Sequence, residues 1–135
     1  MKKHLVAAAI SSVVLVAFAY IALLLLPVVF PGLAESYYEP TFRAGSSEEI
    51  LFFVHPVILS FLLSWFWYRF KGQFEGSFVF RGIELGAVYG LVAIVPAMMI
   101  NYSVLNITLP LVMAWLAYGI LQGIIAGVIF AKIDP

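Results

Sequence analysis

His55, inside "ILFFVHPVILSFLL", is the side chain best placed to do chemistry in an apolar setting, because no charged residue lies nearer than Glu49. An imidazole there could carry a proton, accept a hydrogen bond or ligate a haem iron. Bis-histidine ligation needs a second histidine facing it, and the only other one, His4, lies near the far end of a different apolar run. Glu84, in "RGIELGAVYG", is the second candidate, since carboxylates inside a membrane often mark ion or proton pathways. Its position one turn from Arg81 predicts a plainer role: a boundary anchor near a helix N-terminus, partnered by Arg81 or Lys132.

Counting about 1.5 Å per residue from the lysine-bearing ends puts His55, Tyr20, Tyr118 and Pro96 at a similar depth, about 20 Å in. Tyr20, His55 and Tyr118 are therefore expected to form a buried polar layer, with Tyr89 and Gln122 as a second pair nearer the basic ends. Pro56 and Pro96 free the carbonyls of Phe52 and Val92, which adds acceptors to such a layer. Two roles stay open for it: fixing helix register with its own hydrogen bonds, or lining a path. Elsewhere reactive chemistry is thin. The chain has no cysteine, which excludes disulfides, thiol redox catalysis and thiolate-held metals. No zinc-protease, nucleophile-elbow or phosphate-loop spacing occurs, so no enzyme activity, metal or other cofactor is expected. Seven basic residues balance seven acidic ones, and nothing in that balance points to a nucleic-acid partner.

The elements that must carry these residues are membrane spans. Mean hydropathy is +1.10, and four apolar runs reach the roughly 20 residues a spanning helix needs. They are Leu5 to Phe30, Ile50 to Tyr68, Gly82 to Ile100 and Ile107 to Ala131. The first outruns the apolar region of about 7–15 residues in a cleaved signal, so a retained helix is expected. The chain thus reads as a single integral membrane domain, an all-α four-helix transmembrane bundle. Lys2, Lys3, Arg69, Lys71, Arg81 and Lys132 fall on one side of it and Arg43 alone on the other. That bias predicts both termini in the cytoplasm and a bacterial inner membrane as the location. Residues 31–49 form the one sizeable outer loop. Its "SSEE" has capping-box spacing between Ser46 and Glu49, so it is expected to open the second helix, while the third is expected to open at Arg81. Trp65, Trp67 and Tyr68 read as interface anchors, as do Tyr37, Tyr38 and Phe42 on the outer side.

Glycines set the expected packing. Residues four apart advance about 40° around a helix, so Gly82, Gly86 and Gly90 form one stripe that Ala93 and Ala97 continue. Gly119, Gly123 and Gly127 repeat the spacing in the fourth helix. In an antiparallel hairpin both triplets lie toward the basic end, and small-xxx-small stripes let backbones approach closely. Helices three and four should therefore form the tightest pair, as a glycine zipper; one triplet facing another subunit is the alternative.

The segments "KGQFEGSFVFRGIELGAVYGLVAIVPAMMINYS" and "LQGIIAGVIFAKI" resemble small uncharacterised four-span bacterial integral membrane proteins in which a basic-glycine turn precedes an RG start. The resemblance covers roughly the C-terminal half. It implies the four-span fold and carries no activity onto individual residues. The expected function is that of a non-enzymatic accessory or scaffolding subunit. Its partners would be the lipid bilayer and either membrane-protein subunits or a second copy. The alternative is a small oligomeric transporter or channel with His55, Glu84 and Gln122 along its path.

Overall fold

The computed structural model describes residues 2–43 and 45–135, and every regular element among them is helical. Four helical stretches are long and apolar enough to cross a membrane: Lys2–Val29, Ser47–Gln73, Phe78–Val104 and Leu109–Ile133. The first span is helix α1 (Lys2–Val29), followed by the short α2 (Pro31–Ser36). The second is a 3₁₀ turn (Ser47–Glu49), α3 (Ile50–Phe70) and a closing 3₁₀ turn (Lys71–Gln73). The third joins α4 (Phe78–Tyr89) through a π turn (Gly90–Ile94) to α5 (Val95–Val104), and α6 (Leu109–Ile133) is the fourth. Large apolar side chains point outward along the spans, Val13 at 72% exposed and Leu91 at 70%, as suits helices whose solvent is hydrocarbon.

Several local starts differ from the sequence expectation. Ser77, not the residue before Arg81, caps the third span, its side chain accepting from the Phe80 amide at 3.4 Å. The capping box at "SSEE" does not form. The Ser46 hydroxyl is buried without a partner, and Glu49 Oε1 accepts from the Gly45 amide at 2.6 Å instead. Gly45 has φ +66, and that left-handed turn aims its N–H at the carboxylate.

α6 is the centre of the bundle. It packs against α1, α3 and α4, so its buried residues, from Leu111 to Ala131, lie on more than one face. α1 and α3 close a second seam through Ala7, Ala8, Ser11 and Leu15 on one side and Leu59, Ser60, Leu63 and Ser64 on the other. Small residues let these two backbones approach, and hydroxyls tie them together. Ser11 Oγ and Ser60 Oγ lie 3.1 Å apart, and Ser64 donates to the His4 carbonyl at 2.6 Å.

The third span sits outside this three-helix group, docked along α6. Its buried residues are Gly82, Leu85, Gly86 and Gly90, whereas α5 beyond the π turn has none. Contact is therefore concentrated at the end that carries the chain termini. There the core gathers Ala7, Trp67, Phe74, Leu85, Phe130 and Ala131.

Candidate functional site

The expected polar layer is not assembled. Tyr20 is 56% exposed and His55 is exposed, and among the described residues neither side chain makes a hydrogen bond. Equal depth does not set direction: Tyr20 follows the buried Ala19 by one residue, and about 100° of rotation carries it off the packed face. Tyr118 does enter the bundle. Its ring stacks between Phe18, at 5.2 Å, and Phe52, at 6.5 Å. Its hydroxyl accepts from Gln122 Nε2 at 3.3 Å. Gln122, 1% exposed, thus pairs with Tyr118 one turn away on α6, and not with Tyr89. Tyr89 packs its ring against Gly123.

Glu84 is exposed and takes part in no ion pair among the described residues. The partnership expected with Arg81 or Lys132 is replaced by other contacts. Arg81 lies over the Trp67 ring at 4.8 Å and donates to the Lys71 carbonyl at 3.1 Å, while Lys132 reaches toward the Phe78 ring at 6.0 Å. Since His55 and Glu84 are exposed and Gln122 is sealed, the three do not line one path within a single chain.

The glycines lie where α4 and α6 come closest. A Cβ on Gly127 would stand 2.9 Å from the Cα of Gly82, and one on Gly123 would stand 3.0 Å from the Cα of Gly86. The opposing positions are as tight: a Cβ on Gly86 would be 2.7 Å from the Ile124 amide nitrogen. At the third level glycine no longer meets glycine. Gly90 faces Ile120, and Gly119 faces Ile94, 2.9 Å from where its Cβ would be. The π turn explains the change. Pro96 has no N–H for the Val92 carbonyl, the Val95 amide bonds back to Gly90, and the wider turn inserts one residue into the register. Ile94 takes the place that Ala93 would have had, and Ala93 and Ala97 turn outward.

Two clusters carry contacts that motif reading missed. At the termini end Trp67 is wholly buried and is no interface anchor. Its Nε1 donates to the Asp134 carbonyl at 2.9 Å, and its ring stacks on Phe74 at 5.3 Å. Lys71 pairs with the Asp134 carboxylate at 2.8 Å. Trp65, 55% exposed, and Tyr68, 46% exposed, keep the outward position of anchors. The Ser11–Ser60 seam is the other cluster, and Ala7/Ser11 and Ser60/Ser64 have the same four-residue spacing as the glycines.

At the loop end, α2, the segment after it and the turn before α6 enclose a cleft of about 690 Å³. Glu35, Ser36, Glu39, Asn106 and Thr108 supply polar groups, and Phe42 and Leu111 supply apolar ones. Phe42 is held by Tyr37, at 5.0 Å between rings, and by Trp115, edge-on at 6.0 Å. Trp115 Nε1 donates to the Tyr37 hydroxyl at 2.6 Å. Comparison of the chain with protein-family models, with curated proteins and with solved structures finds no match in any of the three.

Proposed function

We propose that this chain is a non-enzymatic integral membrane protein that serves as an accessory or scaffolding subunit of a membrane complex. The observation that carries the proposal is the outward placement of His55 within an apolar span. Ionisable side chains in spans ordinarily face protein or a water-filled cavity, because lipid offers no hydrogen-bond partner. A neighbouring helix with a polar group at that depth would supply one. The far half of the third span adds a surface of the right kind: α5 has no buried residue, and Ala93 and Ala97 leave room for close approach.

On this reading Gly82 and Gly86 facing Gly127 and Gly123, with Gly90 against Ile120 and Gly119 against Ile94, act as a glycine zipper that fixes the third span by one side. Its other side, with Glu84, is then left for a partner. The gathering of Lys2, Lys3, Arg69, Lys71, Arg81 and Lys132 toward the termini end supports cytoplasmic termini in a bacterial inner membrane.

The test is recovery of the tagged protein from its native membrane in gentle detergent, with mass spectrometry of what accompanies it. Stoichiometric partner subunits, lost on His55→Leu, are the expected result. A self-associated particle with no partner and a flux that depends on His55 and Glu84 would replace this reading with that of a small transporter or channel.

A further inference from the structure

The cleft at the loop end differs from the rest of that face in its charge balance. Four glutamates lie between the end of α1 and the start of α3, and two of them are engaged: Glu48 with Arg43 at 3.8 Å, and Glu49 with the Gly45 amide at 2.6 Å. Glu35 and Glu39 make no ion pair or side-chain hydrogen bond among the described residues, and both line the cleft. Arg43, the basic residue of that segment, has its guanidinium 3.8 Å from Glu48. The cleft thus carries two carboxylates without an ion pair among the described residues, beside the ring of Phe42, which Tyr37 and Trp115 hold in place.

Its size separates the candidate ligands. About 690 Å³ is the volume of a small-molecule site and far exceeds that of a bare metal ion. No group of three metal-ligating side chains occurs among the described residues. An organic cation fits the charge, and an aromatic face beside carboxylates is suited to an ammonium group. The cleft also has a continuation. Gly32, Ser36 and Thr108 line both it and a second groove of about 570 Å³, whose other walls include Val29, Phe30 and Pro110. An apolar groove beside the end of the first span thus adjoins the polar cleft, the two sharing a wall.

We propose that the cleft and the adjoining groove together bind an amphiphile with an ammonium head, the head between Glu35 and Glu39 and the apolar part along Val29 and Phe30. An amine-headed phospholipid is the source nearest to hand at a membrane boundary; a free amine has the same head without the tail.

The experiment compares phosphatidylethanolamine with phosphatidylglycerol of identical chains, bound to the delipidated full-length protein and counted by native mass spectrometry. The wild type should retain the amine lipid about tenfold better. Glu35→Gln/Glu39→Gln should bring the two lipids to parity, while Glu75→Gln/Glu84→Gln, which removes as much charge away from the cleft, should preserve the ratio. Equal retention by the wild type, or an unchanged ratio in Glu35→Gln/Glu39→Gln, overturns the site. Thermal melting controls for folding, and the single Glu39→Gln variant reads the same ratio if the double variant melts early. Free ethanolamine identifies the source: displacement only at about a hundredfold excess over lipid supports the amphiphile, and displacement at parity overturns the apolar half of the site in favour of a free amine.

Discussion

Trp67 Nε1 donates a hydrogen bond of 2.9 Å to the main-chain carbonyl of Asp134, which joins the end of the second span to the end of the fourth. Around it Lys71 pairs with the Asp134 carboxylate, Arg81 covers one part of the indole, and Phe74 stacks on it. The contacts that the second span makes with Arg81 and Asp134 thus meet at this one side chain and its immediate neighbours. Trp67→Phe keeps most of the ring and loses the donor, so it should cost about 1 kcal/mol or somewhat more in unfolding free energy. Trp67→Ala should cost about 3–5 kcal/mol. Thermal or denaturant unfolding in detergent measures both; a melting profile unmoved by either would deny the contact any structural weight.

Gly86 and Gly123 leave no room for even one methyl group, since a Cβ on Gly123 would lie 3.0 Å from the Gly86 Cα. Gly86→Ala and Gly123→Ala should each destabilise by about 1–3 kcal/mol, because the added methyl meets the Ile124 side chain and amide in the first and the Tyr89 ring and Gly86 Cα in the second. Gly72→Ala is the matched control, with nothing within 4 Å of the added carbon. Equal melting temperatures for all three variants would dismiss close backbone approach as the source of third-span docking.

Ser11 and Ser60 offer a pairwise test of the first seam. Their hydroxyls are buried and 3.1 Å apart. A double-mutant cycle with Ser11→Ala and Ser60→Ala should return a coupling of about 0.6 kcal/mol, the usual scale for hydrogen bonds between spans. Strict additivity would show that the two hydroxyls do not interact.

Topology can be read chemically because the chain has no native cysteine. Tyr38→Cys, at a position 88% exposed, should react with a membrane-impermeant maleimide in intact cells. Gly72→Cys, at the opposite end, should react only after permeabilisation. The reverse pattern would invert the proposed orientation.

His55 separates fold from association. Its side chain is exposed, so His55→Leu should leave the melting temperature of the isolated protein within the small range typical of surface changes, about 0.5 kcal/mol. The same variant should recover less partner from native membranes. A large loss of stability in the isolated protein would place the imidazole in an intramolecular role.

The number of spans, their approximate limits and their apolar character were legible in the residues alone. Hydrophobic length acts run by run and needs no knowledge of neighbours, and the four runs read from sequence differ from the observed helical stretches only by residues at their ends. The spacing of Gly82 and Gly86, and of Gly123 and Gly127, was equally plain, because four-residue periodicity survives in any straight helix. What spacing could not supply was rotation. Whether Tyr20, His55 or Trp67 points inward depends on how each helix turns about its axis against all the others, and Trp67 lies inside while the two polar candidates lie outside. The π turn at Gly90–Ile94 shows the limit most clearly: one inserted residue shifts the phase by about 100°, so Ile94 meets Gly119 and Ala93 and Ala97 leave the packed face. Chain order likewise gave no sign that Glu35 and Glu39 would share a cleft with Asn106 and Thr108. Apolar length and the placing of small or charged residues belong to each stretch of chain alone; which of those residues meet is a property of the folded bundle, because helix rotation and register are settled by the packing of all four spans together.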